Sequence, residues 1–165
     1  MTQLKVTLIA GATLAAIGIA GATLAQGTPD GHGFVRLQQD EMKWVPYPAD
    51  TGKLGLMEQM IIGDPAKPGP YVIRLKFPPG IMSTPHSHGE DRVGTVIKGT
   101  WWTGTSPDWD PSKTQPMHAG GVMLHPHGEV HYDGARDEEV IVQLAGMGPT
   151  SKSNVNPADP PFRKH

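Results

Sequence analysis

The chain has no cysteine among its 165 residues. That excludes a disulfide framework and a lipid-modified cysteine, so stability has to come from packing or from a bound metal. Neither sign of charge dominates: 14 Lys+Arg stand against 16 Asp+Glu, for a formal net charge of −2. With no basic stripe to neutralise phosphates, nucleic acid is not an expected partner. Long amphipathic helical periods are missing as well. So are a Ser-His-Asp order, a phosphate-cradling Gly loop and a close pair of catalytic carboxylates.

Glycine and proline are abundant instead, at 21 and 17 residues. They separate short runs rich in β-branched and aromatic residues, at 34–37, 42–45, 54–62, 71–77, 81–88, 93–102, 121–124, 129–132 and 139–144. Short strands at such spacing predict an all-β sandwich or barrel, and the chain length suits one domain. Residues 1–25 differ in kind: Lys5 is the only charge, the segment from Val6 to Ala20 is apolar or small, and small residues follow at Ala20-Gly21-Ala22 and Thr23-Leu24-Ala25. This predicts a secretory signal peptide and a periplasmic or secreted protein whose mature form has no membrane association. An uncleaved anchor is the alternative. Residues 26–32 read as a flexible leader, 33–148 as the barrel, and 149–165 as a tail that wraps the barrel or frays.

His86 and His88 lie two apart in a strand-like run, which points both imidazoles to one face. The pair has company. Reading from Gly80, five residues lead to His86, one to His88, and the run closes at Gly99; later Gly120 is followed by Pro126, Gly128 and His131. These two segments resemble the paired motifs of the cupin superfamily, G-x5-H-x-H-x3-E-x6-G and G-x5-P-x-G-x2-H-x3-N. The resemblance implies a single-domain jelly-roll barrel (a double-stranded β-helix) with a metal inside its mouth and, through edge strands, a homodimer. Two positions depart from the pattern: the metal-ligating Glu is replaced by Arg92 and the final Asn by Ala135.

The ligand set that the resemblance implies is therefore His86, His88 and His131, holding a divalent Fe, Mn, Ni, Cu, Co or Zn ion. Glu90 or Asp91 would serve as a slipped carboxylate ligand, and His125, His127 and His131 form a rival set. His127 otherwise reads as a rim residue, and His32 and His118 as surface. Three neutral ligands leave the full charge of the ion to attract anions. Three-histidine cupins with dioxygenase activity are the precedent for the expected chemistry, on a small anionic organic molecule, with a non-catalytic metal- or ligand-binding protein as the alternative. Arg92 either binds the substrate anion or pairs with Glu90, Asp91 or another acid. Strand parity adds Met82, Thr84 and Gln143 to the pocket and puts one of Trp101 and Trp102 inside. No catalytic residue is assigned.

Overall fold

The computed structural model describes residues 27–48 and 53–165. The signal peptide expected over 1–25 lies outside them. Thirteen strands form among the described residues. They are β1 (Val45–Pro46), β2 (Met57–Ile62), β3 (Gly69–Phe77), β4 (Ile81–Ser83), β5 (His86–His88), β6 (Arg92–Lys98) and β7 (Thr100–Gly104). β8 (Gln115–His118), β9 (Val122–His125), β10 (Tyr132–Gly134), β11 (Val140–Gly148), β12 (Lys152–Asn154) and β13 (Phe162–Lys164) follow.

Alternation builds the framework. In β3, Tyr71, Ile73, Leu75 and Phe77 are buried and the residues between them less so; β11 does the same with Val140, Val142 and Leu144. Period two places each set on a single face. The two strands pair antiparallel from Val140 opposite Phe77 to Gly148 opposite Gly69, so their apolar faces coincide. They form the centre of a six-stranded sheet ordered β1-β2-β3-β11-β6-β9. A five-stranded sheet, β13-β4-β10-β7-β8, faces it and contributes Ile81, Trp101 and Phe162 to the common core. The fold is the all-β double-sheet barrel expected from the sequence.

Element limits differ where one residue overrides the pattern. The run 81–88 is two strands, because Pro85 has no N–H to donate and the ladder breaks there. The run 93–102 is also two strands: Gly99 takes a φ of 77°, and the chain passes there from the six-stranded to the five-stranded sheet. Residues 34–37 form no strand, and Phe34 is exposed. β8, with Pro116 on a sheet edge, was not anticipated. Nor were β12 and β13, which lie in the Pro-, Asn- and Ser-rich tail. β13 pairs with β4 and inserts Phe162 into the core, edge-on to Tyr47 at 5.3 Å and to Phe77 at 6.1 Å. β12 pairs with β5, the strand of His86 and His88.

Candidate metal centre

β5 holds His86 and His88 on one buried face, 3% and 6% exposed, as the spacing requires. His131, also 3% exposed, comes from a distant part of the chain, just before β10. Reciprocal backbone bonds join it to β5: His86 N donates to His131 O and His131 N to His86 O, each at 2.9 Å. The two residues are thus directly opposite across an antiparallel bridge. Ring centroids are 4.9 Å apart for His86 and His88, 4.4 Å for His86 and His131, and 5.4 Å for His88 and His131. One nitrogen from each ring lies within 4.8 Å of the other two, close enough to share an ion.

Hydrogen bonds decide which nitrogen is available. Nδ1 of His86 is 2.7 Å from Thr84 O, that of His88 2.8 Å from Ser151 O, and that of His131 3.3 Å from Glu129 O. A carbonyl only accepts, so each Nδ1 carries the proton and each Nε2 keeps its lone pair. Nε2 of His88 and of His131 is buried with no hydrogen-bond partner, that of His131 lying 3.9 Å from Asp133 Oδ2. Buried lone pairs that converge without a donor suit a cation, and imidazoles held by backbone carbonyls are oriented as metal ligands are. The donor set therefore fits a divalent ion of the first transition series or zinc.

Burial keeps these rings neutral, the form in which they bind metal. It lowers His86 well below the usual imidazole range, His88 to about 3 and His125 to about 2; His131 is lowered too, with Asp133 opposing. The sign of the consequence follows from linkage. In the unfolded chain these rings take up protons near pH 6.5, whereas in the fold they resist until far lower pH, so acid favours unfolding. The metal-free protein is expected to lose stability steadily from about pH 6.5 towards pH 3, read as a lower Tm at pH 5 than at pH 7. An unchanged Tm would show that the histidines are solvated.

Arg92 and His125 are register partners on β6 and β9, and Arg92 Nε donates to His125 Nδ1 at 3.2 Å. Because arginine stays protonated, His125 must hold its own proton on Nε2, which is buried and unpartnered. His125 is therefore a hydrogen-bond donor in the cavity, although it also groups geometrically with His131 and Asp133. Its ring lies 3.9 Å from that of His131. The tautomers favour the first ligand group over the second.

His86, His88 and His125 line one space and His88 also lines a second, whereas His131 lines neither. An inner cavity of about 40 Å³, with room for roughly one water-sized ligand, is bounded by His86, His88, His125, Ser83 and Asp133. An outer pocket of about 320 Å³ lies against Ile73, Leu75, Leu144, Tyr71 and Glu58. Arg92, His88 and Lys152 line both. Lys152, on β12, lays its ammonium 4.7 Å over the Phe162 ring. Burial of that ammonium pulls its pKa down to about 8; Asp133 opposes the shift and Arg92 adds to it.

The remaining sequence expectations divide. Asp91 is exposed and accepts from His127 N at 2.7 Å, and His127 is exposed with it, so the rival set of His125, His127 and His131 is not assembled. Glu90 accepts from Thr150 Oγ1 and from Tyr71 OH, which ties the tail to β3 rather than to the histidines. Neither acid joins a metal-capable group among the described residues, and neither pairs with Arg92. Met82 and Thr84 are fully buried but do not line the cavity; Ser83 does, because the break at Pro85 shifts the parity by one. Gln143 faces away, accepting from Arg74 Nε at 3.1 Å, while Val142 and Leu144 face in. Trp101 is inside at 1% exposure, and Trp102 lies outward against Arg136. His32 and His118 are exposed, as expected. Asp133 was missed, although its place two residues after His131 signals it; for Lys152 the sequence holds no signal.

Solved structures share this architecture. The polyketide cyclase RemF from Streptomyces resistomycificus is similar with a TM-score of 0.62 and 18% identity, over 78% of this chain and 89% of that one. An RmlC-like cupin from Ralstonia eutropha matches with a TM-score of 0.55 and 19% identity, over 73% and 78%. The DMSP lyase DddQ from Ruegeria pomeroyi matches at 0.56 and 16%, over 72% of this chain and 63% of that one. No family model matches the chain, and no curated protein matches it in sequence. The described residues have the cupin fold, in agreement with the two motifs.

Proposed function

We propose that this chain is a metal-dependent enzyme in which His86, His88 and His131 hold a divalent ion through Nε2 and a small organic anion binds beside it. The observation that carries this is the set of three buried imidazoles whose Nδ1 atoms meet backbone carbonyls and which each place one nitrogen within 4.8 Å of the other two. Such an ion supplies Lewis acidity and open positions for an oxygen ligand or dioxygen. The chain's own groups do the rest. Arg92 and Lys152 attract the anion, Leu75 and Leu144 exclude water from its apolar part, and His125 offers its Nε2 proton to an oxygen in the inner cavity. Dioxygenase-type chemistry is the first assignment, supported by three neutral ligands that leave several positions open and by a small inner space next to a larger outer one.

Redox-neutral lyase or cyclase chemistry is the second, favoured by the Lys152 ammonium, whose pKa near 8 suits proton exchange close to neutral pH. Two similar solved structures carry the names cyclase and lyase.

Metal content of the purified protein by mass spectrometry is expected to approach one ion per chain; none would overturn the proposal. Oxygen uptake by the Fe(II)-loaded protein over carboxylates, diketones, thiols and phenols then separates the assignments. Uptake above the metal-free control supports the first, and product without uptake the second. Neither, with metal intact, leaves a metal- or ligand-binding protein.

A further inference from the structure

We propose that Arg92 and Lys152 form a two-point clamp for the single carboxylate of a small organic acid with an apolar body, seated in the outer pocket. This deepens the metal-site proposal by naming a substrate class, and its binding step stands apart from the metal. The clamp is built from distant parts of the chain. Arg92 opens β6, whereas Lys152 comes from β12, which is joined to β5 by the pairing of Lys152 with His88. Both cations line the inner cavity and the outer pocket, and among the described residues neither forms an ion pair. Arg92 gives Nε to His125, so its planar fork is fixed in direction. The Lys152 ammonium has a long contact of 3.4 Å to Pro161 O and lies over the Phe162 ring, and neither contact neutralises its charge. Asp133, buried on the inner cavity with Arg92 and Lys152, is one acid against two cations, so a positive charge is left over for an anion in the outer pocket to balance. A carboxylate does so with charge-assisted bonds to each.

The rest of the pocket specifies the body of the ligand. Ile73, Leu75 and Leu144 make an apolar wall next to Tyr71, and the volume of about 320 Å³ lies at the low end of ligand sites, ~300–1,000 Å³. Glu58, 8% exposed, stands on the same lining. A second carboxylate on the ligand would meet that acid inside a shielded space, which selects monocarboxylates over dicarboxylates.

Calorimetric titration of the full-length protein, both metal-loaded and chelator-treated, tests the clamp with hexanoate, benzoate and 3-phenylpropionate, each beside its neutral amide, and with glutarate as the dicarboxylate. At least one acid is expected to bind ten times more tightly than its amide and more tightly than glutarate. Lys152→Gln and Arg92→Gln should each weaken it roughly tenfold to a hundredfold, with Arg92→Lys in between. Metal content, measured on the same samples, should not change. The clamp is overturned if no acid exceeds its amide, if glutarate binds best, or if both glutamine variants keep wild-type affinity. Loss of metal with carboxylate binding intact would overturn the three-histidine site and leave the clamp standing.

Discussion

Replacing His88 by alanine is expected to abolish metal retention, and replacing His131 by alanine to do the same, while both variants keep the barrel. The size of the effect follows from what each ring contributes. Loss of a group that merely supports a ligand costs about 10–100-fold in metal affinity, and loss of a ligand from a set of three costs more. Thermal melts give a second readout. A ligand that binds only the folded state stabilises it by about 4 kcal/mol at 1,000 times its Kd, so added metal should raise the Tm of the wild type and leave that of the variants unmoved. Without metal both variants should already melt somewhat below the wild type, since each loses a buried ring and its Nδ1 bond to Ser151 O or Glu129 O, so the added-metal shift is the deciding readout. A metal-induced rise in Tm that persists in both variants would refute the assignment of these ligands.

A chain ended after Gly148 is expected to lose both metal affinity and stability, although every proposed ligand remains. Removing the tail takes away β12 and with it Ser151 O, the acceptor that holds the His88 ring by Nδ1. It takes away Phe162, 6% exposed in the core between Tyr47 and Phe77. Truncation of a buried phenylalanine alone costs ~3–5 kcal/mol, a large share of a typical domain's stability. It also uncovers β4 and β5, and an unpaired strand edge invites association. Thermal melts and light scattering of the shortened chain should show a much lower Tm and aggregation. Phe162→Leu keeps most of the buried volume and Lys152, and should retain metal. If the shortened chain melts and binds metal as the full chain does, the tail is an appendage.

Much of the barrel was legible because its evidence is local. Gly80 to Gly99 and Gly120 to Ala135 carry the two motif spacings, and alternation in 71–77 and 139–144 marks the central strand pair. Parity arguments held within a continuous strand, as for His86 and His88, and failed across a break. Pro85 moved Ser83, rather than Met82 or Thr84, to the cavity. Gln143 was assigned inward without a packing partner to fix its face; the buried Val142 and Leu144 on either side turn it out towards Arg74.

The sequence by itself determined the all-β class, the cupin motifs and the common face of His86 and His88, since these depend on residue order and on a strand period set by the backbone. Tertiary structure alone decided what depends on which strands become neighbours. The β5 bridge put His131 opposite His86, and Arg92 beside His125 set the proton on that ring. The tail, unreadable as strand because of its prolines and short polar residues, brought Lys152 and Ser151 to the histidines through pairing with β5. Contacts between residues far apart in sequence follow from register and packing, and a linear pattern carries no record of either.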